Sequence, residues 1–69
     1  MVAELNDGDT VEIVAGPFKS MRARISRVEQ AKQEITVVLL DTPYQLPVTV
    51  DAAYLRLISH AKKEESPPQ

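Results

Sequence analysis

A chain of 69 residues with eight Lys and Arg, ten Asp and Glu and a formal charge of −2 has room for one small domain, burying only about 60% of its unfolded surface, and is too short for a two-lobed enzyme. Its acidic balance removes the global attraction behind nonspecific nucleic-acid binding, and its few aromatics, Phe18, Tyr44 and Tyr54, do not make a stacking platform for single strands. Absence of cysteine excludes disulfides and thiolate metal sites and is compatible with a reducing cytoplasm; no segment approaches the ~18 apolar residues of a membrane span, and the first residues lack the basic and apolar regions of a signal peptide.

Residues 1–6 read as a flexible leader. Asp7-Gly8 supplies a turn, and Thr10 to Ala15 alternates so that Val11, Ile13 and Ala15 share one face of a strand. Gly16-Pro17 stops that strand and holds Phe18 on a loop. A second strand from Met21 to Glu29 puts Met21, Ala23 and Ile25 on one face and Arg22, Arg24 and Ser26 on the other. Val28 falls out of this register, which predicts a bulge or strong bend near Ser26-Arg27. Gln30 to Gln33 connects to the richest β segment, Glu34 to Leu40, in which Ile35, Val37 and Leu39 face one way and Thr36, Val38 and Leu40 the other. Asp41-Thr42-Pro43-Tyr44-Gln45 interrupts the pattern, and Leu46 to Val50 resumes it. Pro47 cannot donate a ladder hydrogen bond, so this strand is expected at an edge. Asp51-Ala52-Ala53 predicts one tight helical turn, followed by a last strand from Tyr54 to Ile58. Ser59 to Gln69 is polar, with charges in blocks and clustered prolines, and is expected to be a disordered tail.

The run Gly8-Asp9, the alternating strand with Val11 and Ile13, and the loop Gly16-Pro17-Phe18 resemble the KOW motif, in the Gly-Pro-Phe version found in the C-terminal domain of NusG-type transcription elongation factors. Ribosomal KOW proteins usually carry a basic, glycine- and lysine-rich loop there instead. Ile35 to Leu40, the loop to Gln45 and Leu46 to Val50 look most like the archaeal, single-KOW members of the Spt branch. The chain departs from many KOW sequences in having Ala23 where they have glycine. The resemblance spans roughly Asn6 to Ile58. It implies an all-β, SH3-like barrel of about five antiparallel strands over residues 7–58, and a module tethered to an N-terminal domain that binds RNA polymerase and that this chain is expected to lack.

The function implied is protein recruitment: a NusE-like protein of the small ribosomal subunit, or another transcription or termination factor, docks on the KOW domain. The implied surface is the loop carrying Phe18 and Met21 together with the tip after the third strand, Leu40, Asp41, Thr42, Pro43 and Tyr44. Met21 and Thr42 stand where bacterial sequences often have aromatic or apolar side chains. Val38 and Leu40 are expected to lie beside Phe18 and extend this surface as one apolar strip. The alternative reading is an RNA-binding KOW domain using Lys19, Arg22, Arg24, Arg27 and Lys32, the one basic concentration in the chain. Asp7, Asp9 and Glu12 read as turn chemistry without a completing ligand, so no metal or other cofactor is expected. His60, the lone histidine, is expected at the edge of the tail with no buried group to orient it, which argues against catalysis. The domain is expected to be a monomer.

Overall fold

The computed structural model describes residues 4–61. Five strands, β1 (Thr10–Ile13), β2 (Arg22–Glu29), β3 (Glu34–Leu39), β4 (Pro47–Asp51) and β5 (Leu55–Ser59), form one sheet in the order β4-β3-β2-β1-β5. Every pairing is antiparallel. Short 3-10 turns at Gln30–Lys32 and Ala52–Tyr54 connect β2 to β3 and β4 to β5. The five antiparallel strands are those the alternating segments predict, in the all-β, SH3-like arrangement that the resemblance implies.

The alternation decides which side chains meet. Val11, Ile13, Ala23, Ile25, Ile35, Val37 and Leu39 form the buried core, and Leu5, Phe18, Met21, Val28, Val48, Ala52, Leu55 and Leu57 pack around it. Cross-strand partners share a face, so the pairs Val11↔Ala23, Ile25↔Val37 and Val37↔Val48 stack apolar groups on the inner side. The register of β2 against β3 shifts between Ile25 and Arg27. Through this irregularity Val28 comes opposite Ile35 and turns inward, whereas unbroken alternation would have sent it outward. The bend lies where the misplaced Val28 predicts it. Pro47 opens β4, an edge strand, as its missing N–H requires.

The edges of the sheet are tied through loops. Val14 donates its N–H to the Tyr54 carbonyl (2.8 Å) and Ala52 donates to that of Gln33 (2.9 Å). β1 ends at Ile13 rather than at Ala15, ahead of the turn at Gly16, whose φ is positive. Asp51 accepts from the Ala53 N–H at 2.8 Å and caps the 3-10 turn. Gln33 leaves the other 3-10 turn with φ 56°, a left-handed position. Ala23 lies in regular strand pairing and has no positive φ, so alanine replaces glycine there without strain.

Contacts to the core and to the first turn extend to a few residues on either side of 7–58. In the segment read as a leader, Leu5 packs against the core and Asn6 donates its N–H to Asp9 Oδ2 at 2.9 Å. In the segment read as tail, Ser59 is the last residue of β5 and Ala61 donates its N–H to Asp9 Oδ1 at 2.8 Å. The remainder of the expected tail, 62–69, and residues 1–3 lie outside the described residues.

Ile25 is 1% exposed and borders the bulge, so Ile25→Ala removes packing where the sheet bends. Chemical denaturation is expected to show a loss of about 2–5 kcal/mol.

Candidate docking surface

The loop between β1 and β2 is shaped by its backbone. Gly16 has φ +87°, which its missing Cβ allows without strain, and Tyr54 lays its ring beside it: a Cβ built at Gly16 would lie 3.5 Å from Tyr54 Cε2. Lys19 N–H bonds to Gly16 (3.2 Å) and Met21 N–H to Phe18 (3.1 Å). Between them Ser20 takes φ 79°. This fold-back brings Phe18 over the core's rim, where it is half-buried and shares an apolar notch with Ile13, Pro17, Val48, Val50 and Tyr54. Met21 is half-buried in the same way.

The tip after β3 is built differently. Leu40 donates its N–H to the Arg22 carbonyl at 3.0 Å, and the Arg22 guanidinium grips both carboxylate oxygens of Asp41, at 2.9 and 3.3 Å. Thr42 donates its hydroxyl to the Tyr44 carbonyl. Hydrogen bonding to Arg22 is the leading cause holding the Asp41 carboxyl below its usual range. The tip is thereby constrained at Asp41 and Thr42, while Tyr44 projects with 72% of its surface exposed and Pro43 is also exposed.

The structure separates the residues expected to form one strip. Leu40 and Val38 line a shallow outer groove with Arg24, Ser26, Thr42 and Gln45, whereas Phe18 sits in the notch beside Val48 and Val50. The reason is strand parity. Val48 lies opposite Val37 on the core-facing side, and Val38 lies opposite Pro47 on the other. Phe18 closes the inner side, so it meets the first pair and not the second.

The basic residues do not form an open cationic face. Arg22 is engaged by Asp41, Arg27 stands 3.4 Å from Glu29, and Arg56 on β5 pairs with Glu12. Among the described residues no ion pair joins Lys19, Arg24 or Lys32 to a carboxylate. These three are exposed and lie on the β1–β2 loop, the outer face of β2 and the 3-10 turn before β3. Among the described residues no group of three or more His, Asp or Glu comes together as a metal site.

Asp9 is the residue that sequence reasoning undervalued. It is 2% exposed and accepts from Asn6 and Ala61, with His60 Nδ1 3.5 Å from its Oδ2. A buried carboxylate thus stands beside the lone histidine, contrary to expectation. Burial pushes the Asp9 carboxyl upward, but the two backbone N–H groups and His60 outweigh it and hold the pKa below the ordinary 3.8. The local half, Asn6 three residues before Asp9, carries a turn signal. The half contributed by residues 60 and 61 is nonlocal and leaves no such trace.

The KOW motif family model matches residues 8–38, covering the turn, β1, the Phe18 loop and β2 into β3. Transcription elongation factor Spt5 of Pyrococcus furiosus is 42% identical over 64 residues, 93% of this chain and 42% of that protein. Spt5 of Methanocaldococcus jannaschii is 36% identical over 62 residues, again 42% of its length. Among solved structures, the crystal structure of the MjSpt4:Spt5 complex in conformation B superposes with a TM-score of 0.83 at 35% identity, over 91% of this chain and 43% of the other. Thermotoga maritima NusG gives 0.76 at 24% identity, over 86% of this chain and 33% of the other, a likeness of fold. The chain spans less than half the length of the curated relatives it matches.

Phe18→Ala exposes part of the core rim and, at half burial, is expected to cost about 1–2 kcal/mol of fold stability, whereas Tyr44→Ala is expected to stay within about 0.5 kcal/mol. Denaturation of the two variants side by side reads the difference.

Proposed function

On the premise that the chain is a KOW domain of the Spt5/NusG type, we propose that it is a protein-recruitment module of a transcription elongation factor, docking a NusE-like protein of the small ribosomal subunit or another transcription factor. The observation that supports this reading most is the Asp41–Tyr44 tip, an exposed aromatic on a loop pinned by the Arg22–Asp41 fork. A pinned tip loses little conformational freedom on binding, and an exposed tyrosine supplies large contact area at low entropy cost. Phe18 and Met21 present the second apolar contribution from the β1–β2 loop, on a different side of the sheet, so a partner reaches either the tip with the Val38–Leu40 groove or the notch at Phe18. The tip is favoured because Tyr44 is largely free of the fold, while Phe18 is partly spent on the core. The larger role, coupling RNA polymerase to the recruited factor, belongs to a protein longer than this chain.

RNA binding through Lys19, Arg22, Arg24, Arg27 and Lys32 is the second reading. It draws on fewer available charges than the residue count suggests, because Arg22 and Arg27 already face carboxylates. A binding role, not catalysis, suits either case.

Amide shift mapping of the labelled domain with the NusE-like protein of its source organism tests the proposal. Shifts concentrated at Leu40 to Tyr44 are expected. Shifts confined to Lys19, Arg24 and Lys32 on adding RNA, with none on adding protein, would overturn it. Tyr44→Ala is expected to weaken binding by about 2 kcal/mol or more, as for an aromatic anchor, without moving the melting temperature; calorimetric titration and a thermal melt read the two quantities.

A further inference from the structure

We propose that Asp9 is a latch that clasps residues 60 and 61, after β5, onto the turn before β1, and that acid opens it.

The geometry is that of a built contact and not of a passing one. Asp9 uses both carboxylate oxygens: Oδ2 accepts from Asn6 N–H, three positions before it, and Oδ1 from Ala61 N–H, 52 positions after it. Its own backbone is fixed as well, with its N–H bonded to Asn6 at 3.0 Å and its carbonyl accepting from Ile25 at 2.9 Å. Neighbouring Gly8 donates its N–H to the Ile25 carbonyl (2.8 Å). A Cβ at Gly8 would lie 3.0 Å from the Ala61 Cβ, a contact too tight to leave undisturbed, so the segment sits directly on the turn. β5 could end at Ser59 without this contact, and core packing does not call on His60 or Ala61. What the contact adds is a defined path for residues 60 and 61.

The latch depends on charge. An ionised carboxylate accepts two N–H groups at once, and hydrogen bonds to it are stronger than neutral ones; protonation turns one oxygen into a donor facing a donor. The charged group beside it is His60, from the segment after β5; Arg24 of β2 lines the neighbouring cleft with Gly8, Thr10, Ser59, His60 and Ala61, and Asp7 precedes it in the turn. Because the folded pKa of Asp9 is lowered from the ordinary 3.8, the latch contributes fully above that ordinary value and is lost as pH falls through the lowered folded one. It is closed at neutral pH.

Two variants of the full chain test this. Ala61→Pro deletes the donating N–H and leaves Asp9 and the core in place; Asp9→Asn keeps the shape and removes the charge. In Asp9→Asn the Ala61 amide is expected to exchange about tenfold faster or more at neutral pH, the scale of a lost bond to a carboxylate. In Ala61→Pro the Asp9 carboxyl, followed by carbon NMR, is expected to titrate at higher pH than in the parent chain, with β1 to β3 amide shifts preserved. An Ala61 amide that exchanges equally fast with and without the Asp9 charge overturns the latch. So does an Asp9 titration that Ala61→Pro leaves unmoved, a readout that stands even if Asp9→Asn does not fold.

Discussion

One extra residue in the middle of β2 governs the rest of this molecule. A sheet of five short strands with a single apolar face has to curl to bury it, and the register shift between Ile25 and Arg27 supplies the bend. It lets Ile25 and Val28 both point inward, toward Val37 and Ile35. With β2 curved, the β1–β2 loop can fold over the core's rim and Phe18 can meet Val48 and Val50 of the far edge strand. Remove the bend and Val28 joins Ser26 and Arg24 on the outer face, where its burial is forfeited.

The same parity that builds the core distributes the charges. Thr10 and Glu12 on β1 lie opposite Arg24 and Arg22 on β2, and Glu12 lies opposite Arg56 on β5. On this outer face Glu12 is paired by Arg56 and Arg22 turns to Asp41, while Arg24 faces the neutral Thr10. Its ion pairs are exposed and contribute little to stability, but they engage Arg22 and Arg27 of the cations that an RNA reading requires. Arg22 is turned to a different use, gripping Asp41 and giving the tip before β4 a fixed footing. Electrostatics here fixes a loop more than it builds a cationic face.

Most of the fold was legible because alternation with period two is local. The inward faces of β1, β2 and β3, the bulge announced by Val28, the edge position announced by Pro47 and the helical turn after Asp51 all rest on spacing within a few residues. The candidate site was legible in composition but not in arrangement. Phe18, Val38, Leu40 and Tyr44 read as one apolar group, yet strand pairing puts Phe18 with Val48 and leaves Val38 opposite Pro47, a matter of parity between strands that no single segment reveals. Asp9 was misread for a related cause. Its residue type fits a turn, and its partner Ala61 lies 52 positions away, beyond any periodic signal. The left-handed Ser20 was likewise hidden, since the glycine that announces such a conformation stands at Gly16 and not there.

Protein docking and RNA binding differ most sharply in their response to salt, and this separates the account from its rival in one measurement. The dissociation constant of the domain for its protein partner, taken by titration calorimetry between about 50 and 200 mM salt, is predicted to change less than about threefold, since an apolar contact at Tyr44 releases few counterions. An interface resting on Lys19, Arg24 and Lys32 would weaken about tenfold or more over that range. Salt dependence of that size, with single-stranded RNA binding tighter than the protein, would contradict the recruitment function.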